Sequence, residues 1–130
     1  MKDPKWLSMD LVLALHKETL AFFGGMPGVR DRDALEMALN RPQNKLCYKP
    51  ETGLFDLAAA YGYGIVQNHP FIDGNKRVGA LCVHSFLFLN GYTFQPDPVE
   101  YLETILGVAQ GKTKESQLAA WLRKTSTKRK

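Results

Sequence analysis

Twelve residues, Val78-Gly79-Ala80-Leu81-Cys82-Val83-His84-Ser85-Phe86-Leu87-Phe88-Leu89, are apolar on nearly every side. A run of that length reads as a buried helix around which the rest of the chain must pack. The segment feeding it has the opposite character. Gln67-Asn68-His69-Pro70-Phe71-Ile72-Asp73-Gly74-Asn75-Lys76-Arg77 gathers, from His69 on, a histidine, a carboxylate, an amide and two cations immediately before the apolar run begins. A helix start presents unpaired N–H groups and the positive end of the macrodipole, a ready site for phosphate.

The flanking sequence reads as further helices. Ser8 caps a first one running to about Phe23, with Leu11, Leu15, Thr19 and Phe22 as its inner stripe and Gly24-Gly25 as its stop. Asp31 or Asp33 caps a second that ends near Asn40, because Arg41-Pro42 should break it. Lys45-Leu46-Cys47-Tyr48 alternates enough to form a short strand or extended flap. Leu54 to Gln67 is a buried helix in which Gly62 and Gly64 imply close approach of a neighbour such as the helix after Arg77. Thr93-Phe94 reads as extended. Asp97-Pro98-Val99-Glu100 opens a helix with a cap, a proline and a glutamate in the favoured positions, and Thr113 opens a last one ending near Lys124. The expected architecture is all-α: one domain over residues 1–130, a central buried helix and one small extended flap.

Charge and cysteine content narrow the function. Of the 17 cations, five (Arg123, Lys124, Lys128, Arg129 and Lys130) crowd the last eight residues, leaving 12 against 13 carboxylates in the body. A basic nucleic-acid face is therefore not expected, and residues from about 124 to 130 read as a disordered basic tail. Cys47 and Cys82 are too few for a disulfide framework and belong to no metal-like pair. No stretch reaches membrane-span length and the start lacks a signal-peptide layout, so a cytoplasmic protein is expected.

Within the loop each residue type has a use. His69 exchanges a proton near neutral pH and suits a general base acting on a hydroxyl. Asp73 supplies an oxygen for magnesium. Gly74 lets backbone approach a phosphate, and Asn75 can donate to one or pin the loop. Lys76 and Arg77 would stabilise charge on a transferred phosphoryl group, although cations oppose the dipole at a helix start. Any one of these residues alone is ordinarily a turn or a solvated side chain. Together, within nine positions, they describe an anion site.

The nine residues His69-Pro70-Phe71-Ile72-Asp73-Gly74-Asn75-Lys76-Arg77 closely resemble the core motif of the Fic/Doc (Fido) superfamily, and Lys76 resembles the death-on-curing toxin branch. Phe23 to Gly28, Ala38 to Gln43, Tyr48, Leu54-Phe55 and Phe86 to Gly91 extend the likeness in the same order. The resemblance implies a Fido helical bundle and the toxin of a type II toxin–antitoxin system. Such a toxin moves a phosphoryl group from ATP to a hydroxyl of a translation factor, elongation factor Tu, and arrests translation. It implies His69 as base, Asp73 as the Mg2+ ligand, and Gly74, Asn75, Lys76 and Arg77 as the phosphate cradle. Lys45, Leu46, Cys47 and Tyr48 would be the target-docking flap. Adenylylating relatives carry glycine at position 76 and a second arginine at position 80, where this chain has Lys76 and Ala80. Nucleotidyl transfer is thus the runner-up, and a non-catalytic binding module the third reading. Leu81 replaces an asparagine frequent in the branch. No glutamate here has the neighbourhood of the superfamily's restraining helix, so a cognate antitoxin with a disordered segment is the expected partner.

Overall fold

The computed structural model describes residues 3–129. Helices α1 (Met9–Phe23), α2 (Arg32–Tyr48), α3 (Leu54–Asn68), α4 (Asn75–Leu89), α5 (Pro98–Ala109) and α6 (Glu115–Thr125) form an all-α bundle. The only sheet among the described residues pairs β1 (Tyr92–Phe94) antiparallel with β2 (Ser126–Lys128).

The hub of the bundle is α3, which packs on α2, α4 and α6. Leu57, Ala58, Ala59, Ala60, Tyr61 and Gly62 are all buried in succession, so α3 is covered on every side. The long apolar run is α4, and it is covered on one side only. Val78, Cys82, Val83, Phe86 and Leu87 face the core, while Leu81, Phe88 and Leu89 remain exposed. Two glycines set the α3–α4 distance from opposite sides. A Cβ on Gly62 would lie 2.6 Å from Val83, and one on Gly79 would lie 2.7 Å from Val66. Gly64 serves α2 instead, meeting Ala38 at 3.4 Å.

Several caps form as the sequence implies: Ser8 accepts from Leu11 N–H, Asp31 from Ala34 N–H and Asp97 from Glu100 N–H. Four further expectations are corrected. The inner stripe of α1 is Val12, His16 and Thr19, and Phe22 is 78% exposed. The stripe turns because a polar ring, His16, takes a core position and satisfies itself there. The last helix begins at Glu115, its N-cap being Lys114 rather than Thr113.

The third correction is that Pro42 does not end α2, so Lys45, Leu46, Cys47 and Tyr48 are helical and form no flap. Proline inside a helix costs about 3 kcal/mol through a lost hydrogen bond and a steric clash. Contacts on either side of the proline offset that cost. Leu46 packs on the core, and Arg41 and Lys45 both bind the Glu115 carboxylate, Lys45 at 2.6 Å.

The fourth correction concerns the basic end, which is ordered through Arg129. Its Ser126–Lys128 segment pairs with Tyr92–Phe94. Arg129 then donates to the carbonyls of Tyr92 (3.0 Å) and Phe88 (2.8 Å) and lies over the Phe88 ring. One guanidinium thus ties the end of α4 to β1, so a stretch that is polar in composition acquires a fixed place. Lys130 lies outside the described residues.

Candidate active site

Two loops build the site: residues 24–31 after α1 and residues 69–74 between α3 and α4. They are joined by main chain. Arg30 and Asp31 N–H donate to the Pro70 carbonyl at 2.7 and 3.1 Å, Ile72 N–H donates to Gly28 at 3.1 Å, and Val29 bridges Phe71. Phe71 is fully buried and anchors the second loop, its ring stacked on His16 at 3.9 Å between centroids.

His69 closes α3 in the left-handed conformation (φ 47°, ψ 56°), the one described residue other than glycine with positive φ. Histidine is among the side chains that tolerate this region, yet it needs support. Arg30 gives it. Its Nε donates to the His69 carbonyl at 2.7 Å and its second terminal nitrogen to the Asn68 carbonyl at 2.8 Å. The two last carbonyls of α3 are thus held by one planar guanidinium, and the His69 side chain is left exposed. Sequence reasoning missed Arg30, because its partners lie 38 and 39 positions away.

The Asp73 backbone and side chain are held separately. Its carbonyl accepts from His16 Nε2–H at 2.9 Å, while the exposed carboxylate accepts from Gly74 N–H at 3.0 Å and Met26 N–H at 3.3 Å. Gly25 makes room for it, since a Cβ there would stand 2.9 Å from the carboxylate oxygen. Asp73 lies in no described group of three or more potential metal ligands. One carboxylate does not make a resident metal centre. It does suit a magnesium ion that arrives on phosphates and keeps most of its water.

Asn75 is a staple. Its side-chain carbonyl accepts from Phe71 N–H and its amide donates to the Phe71 carbonyl, both at 2.9 Å, in a setting only 9% exposed. Of the two uses open to it in the sequence, the side chain is committed to pinning the loop. Only its backbone N–H faces the helix start. Gly74, at φ 83°, caps α4 without a side-chain acceptor, and the first intrahelical bond of the turn is Val78 N–H to Gly74 O at 2.9 Å. The amides of Asn75, Lys76 and Arg77 therefore have no intrahelical acceptor. Lys76 and Arg77 are exposed, with no carboxylate at ion-pair distance among the described residues, and Arg77 lies 4.2 Å from the centre of the Phe23 ring. The structure thus brings His69, Asp73, Gly74, Lys76 and Arg77 together around one loop. No hydrogen bond or ion pair links Lys45, Leu46, Cys47 or Tyr48 to residues 69–77 among the described residues; Lys45 and Tyr48 border a separate groove with Arg41, Lys49 and Glu115.

Cys82 offers no nucleophile. It is wholly buried, and burial pushes its thiol up to about 12, so it stays protonated at neutral pH.

The Fic/DOC family profile matches residues 6–87, well over half of the chain. The chain belongs to the Fic/DOC family. It is 31% identical to "Protein kinase doc" of Escherichia phage P1 over 118 residues, which spans 91% of this chain and 93% of that one. It is 38% identical to "Toxin Doc" of Mycolicibacterium smegmatis over 77 residues, 58% of each. The family match ends at Leu87, so it includes both loops and most of α4. No described helix is long and apolar enough to cross a membrane.

Proposed function

We propose that this Fic/DOC chain is the toxin of a toxin–antitoxin pair and a protein kinase. In this reading it moves the terminal phosphoryl group of ATP onto a hydroxyl of a translation factor, elongation factor Tu, in the cytoplasm, and so arrests translation. The observation that carries the reading is at the start of α4, where two exposed cations, without a carboxylate partner among the described residues, flank an uncapped helix N-terminus. Cations there oppose the helix dipole by roughly 0.3–1 kcal/mol each, a cost that makes sense when an anion sits between them. The names of the two relatives, one a kinase and one a toxin, agree with this chemistry.

The steps follow from the side chains. The terminal phosphate of ATP lies on the Asn75, Lys76 and Arg77 amides with Lys76 and Arg77 beside it. His69 accepts the proton of the attacking hydroxyl. As the new O–P bond forms, the bond to the bridging oxygen breaks and ADP leaves with that electron pair. The negative charge spread over the transferred group is stabilised by the two cations and the helix start. Arg30 keeps the His69 backbone in its strained conformation, and the Asn75 staple keeps the loop at fixed distance from α4. Asp73 would hold Mg2+, which neutralises charge on the nucleotide phosphates when bound.

Incubating the chain with elongation factor Tu, ATP and magnesium tests the reading by intact-protein mass. A gain of one phosphate group is expected, lost in His69→Ala. A nucleoside monophosphate adduct would replace the kinase by a nucleotidyl transferase. No ATP-dependent adduct on any protein of a bacterial lysate would leave only a binding module.

A further inference from the structure

His16 is a buried polar ring on α1, beneath the loop that carries Asp73. It is 6% exposed, and its ring stacks on Phe71 at 3.9 Å between centroids with 14° between the planes. A Cβ on Gly74 would meet His16 Cδ2 and the Thr19 methyl, each at 3.7 Å, so α1 packs against the residue that precedes α4. The ring makes one hydrogen bond among the described residues, from Nε2 to the Asp73 carbonyl at 2.9 Å, across 57 positions of chain. A carbonyl only accepts, so the ring carries a proton on Nε2.

That bond reaches the Asp73 carboxylate through a single peptide plane. In a trans peptide the C=O and the following N–H point in opposite directions. No described peptide bond is cis, so the Asp73 carbonyl that faces His16 sends Gly74 N–H the other way. Gly74 N–H donates to Asp73 Oδ1 at 3.0 Å. The second oxygen, Oδ2, accepts from Met26 N–H at 3.3 Å, just outside the usual range for such a bond. The better of the two bonds on the carboxylate therefore has its direction decided from α1. Packing alone asks only for a flat apolar ring at position 16, which phenylalanine would supply. The imidazole adds a donor, and the donor stops the Asp73–Gly74 peptide from turning.

We infer that His16 is a positioning residue for the Asp73 carboxylate. Buried beneath the loop, it acts through the peptide plane and sets where the carboxylate can offer oxygen to a metal ion. The inference rests on the proposed role of Asp73 in holding Mg2+. It adds that this ligand is aimed by a side chain on α1, more than fifty positions before the nine-residue loop. Removing a group that orients a metal ligand typically costs about 10–100-fold in metal affinity.

Two variants of the full chain test this. His16→Phe keeps the stack and removes the donor, while His16→Gln offers an amide N–H to the same carbonyl. The first measurement needs no ligand: the temperature dependence of the Gly74 and Met26 amide proton shifts shows whether each N–H is held. The second is the affinity of Mn2+, standing in for magnesium, for the ATP-bound chain by electron paramagnetic resonance. In His16→Phe, Gly74 N–H is expected to lose its bond and Mn2+ affinity to fall about 10–100-fold. His16→Gln should keep the bond and most of the affinity. An unchanged Gly74 amide and unchanged Mn2+ affinity in His16→Phe would overturn the inference and leave His16 as core packing. Equal losses in both variants would also overturn it, because ring shape rather than the donor would then matter. Should His16→Phe fail to fold, nitrogen resonances of the wild-type imidazole decide. A proton on Nδ1 alone overturns the inference, and one on Nε2 supports it. Asp73→Ala separates this from the proposed function: if it binds Mn2+ and ATP as wild type does, the metal role of Asp73 falls and the inference with it, while the phosphate site stands. If wild type itself binds no Mn2+ with ATP, the proposed function fails, and the Gly74 amide in His16→Phe still decides whether His16 sets the carboxylate.

Discussion

The two halves of α4 are built to opposite rules. Along its buried side Gly79 meets Val66 of α3, Gly62 of α3 meets Val83, and no charge intrudes. At its start two cations sit against the dipole, a glycine takes the place of a capping side chain, and the preceding histidine is held at positive φ. The first region has what stability requires. The second carries features that weaken a helix, and they converge on one loop. Such a conflict is expected where a site has a use that folding alone does not explain. Arg30 and Asn75 lie between the two: they make ordinary, well-formed hydrogen bonds whose effect is to hold an unfavourable arrangement in place.

Substitutions should separate the regions. The largest effect is expected from His69→Ala, with phosphotransfer falling about 10²–10⁴-fold, the usual contribution of a general base. The thermal midpoint should fall only slightly, because the ring is exposed while alanine tolerates the left-handed conformation at this position less well than histidine. Equal activity in the two proteins would remove the histidine from the mechanism. Gly79→Leu is the complementary case. Overpacking against Val66 should destabilise by about 1–3 kcal/mol in urea titration. A fully stable variant would mean the crossing is not set by its glycines.

Asn75→Ala should register in both regions. It leaves the Phe71 N–H and carbonyl without their partner and costs about 1–3 kcal/mol. Activity should also fall when assayed well below the melting transition, since the loop loses its staple. A loss confined to stability would make Asn75 purely structural. The smallest effect is expected for Lys76→Ala, which should stabilise the fold by about 0.3–1 kcal/mol by removing a cation from the helix start. The same change should weaken nucleotide binding. A variant that is less stable would show that the cation is not in conflict with the dipole.

How much of this was legible in the sequence depended on how far each residue reaches. The caps at Ser8, Asp31 and Asp97 and the loop from His69 to Arg77 are local, and local pattern found them. Close packing at Gly62 was also legible, because a glycine in a helix needs a reason. The course of α2 past Pro42 was not. It depends on Glu115, some 70 positions away, which holds Arg41 and Lys45. The basic end was misread on the same ground, since its order comes from Gly91, Tyr92 and Phe88. A polar composition says that a segment has no core of its own, not that it lacks a partner. His16 was passed over in the stripe of α1 because its acceptor, the Asp73 carbonyl, appears only once the loop is folded. The burial of α4 was overestimated for a related reason: apolar composition all round does not show which neighbours exist to cover it.

The most direct test is an amide nuclear magnetic resonance titration of the labelled chain with ATP and magnesium. The largest shifts are expected at the N–H groups of Asn75, Lys76 and Arg77, with Lys45 to Tyr48 unmoved. Amides at 75–77 that stay in place while the nucleotide binds elsewhere, or does not bind, would contradict the claim that the start of α4 is a phosphate site.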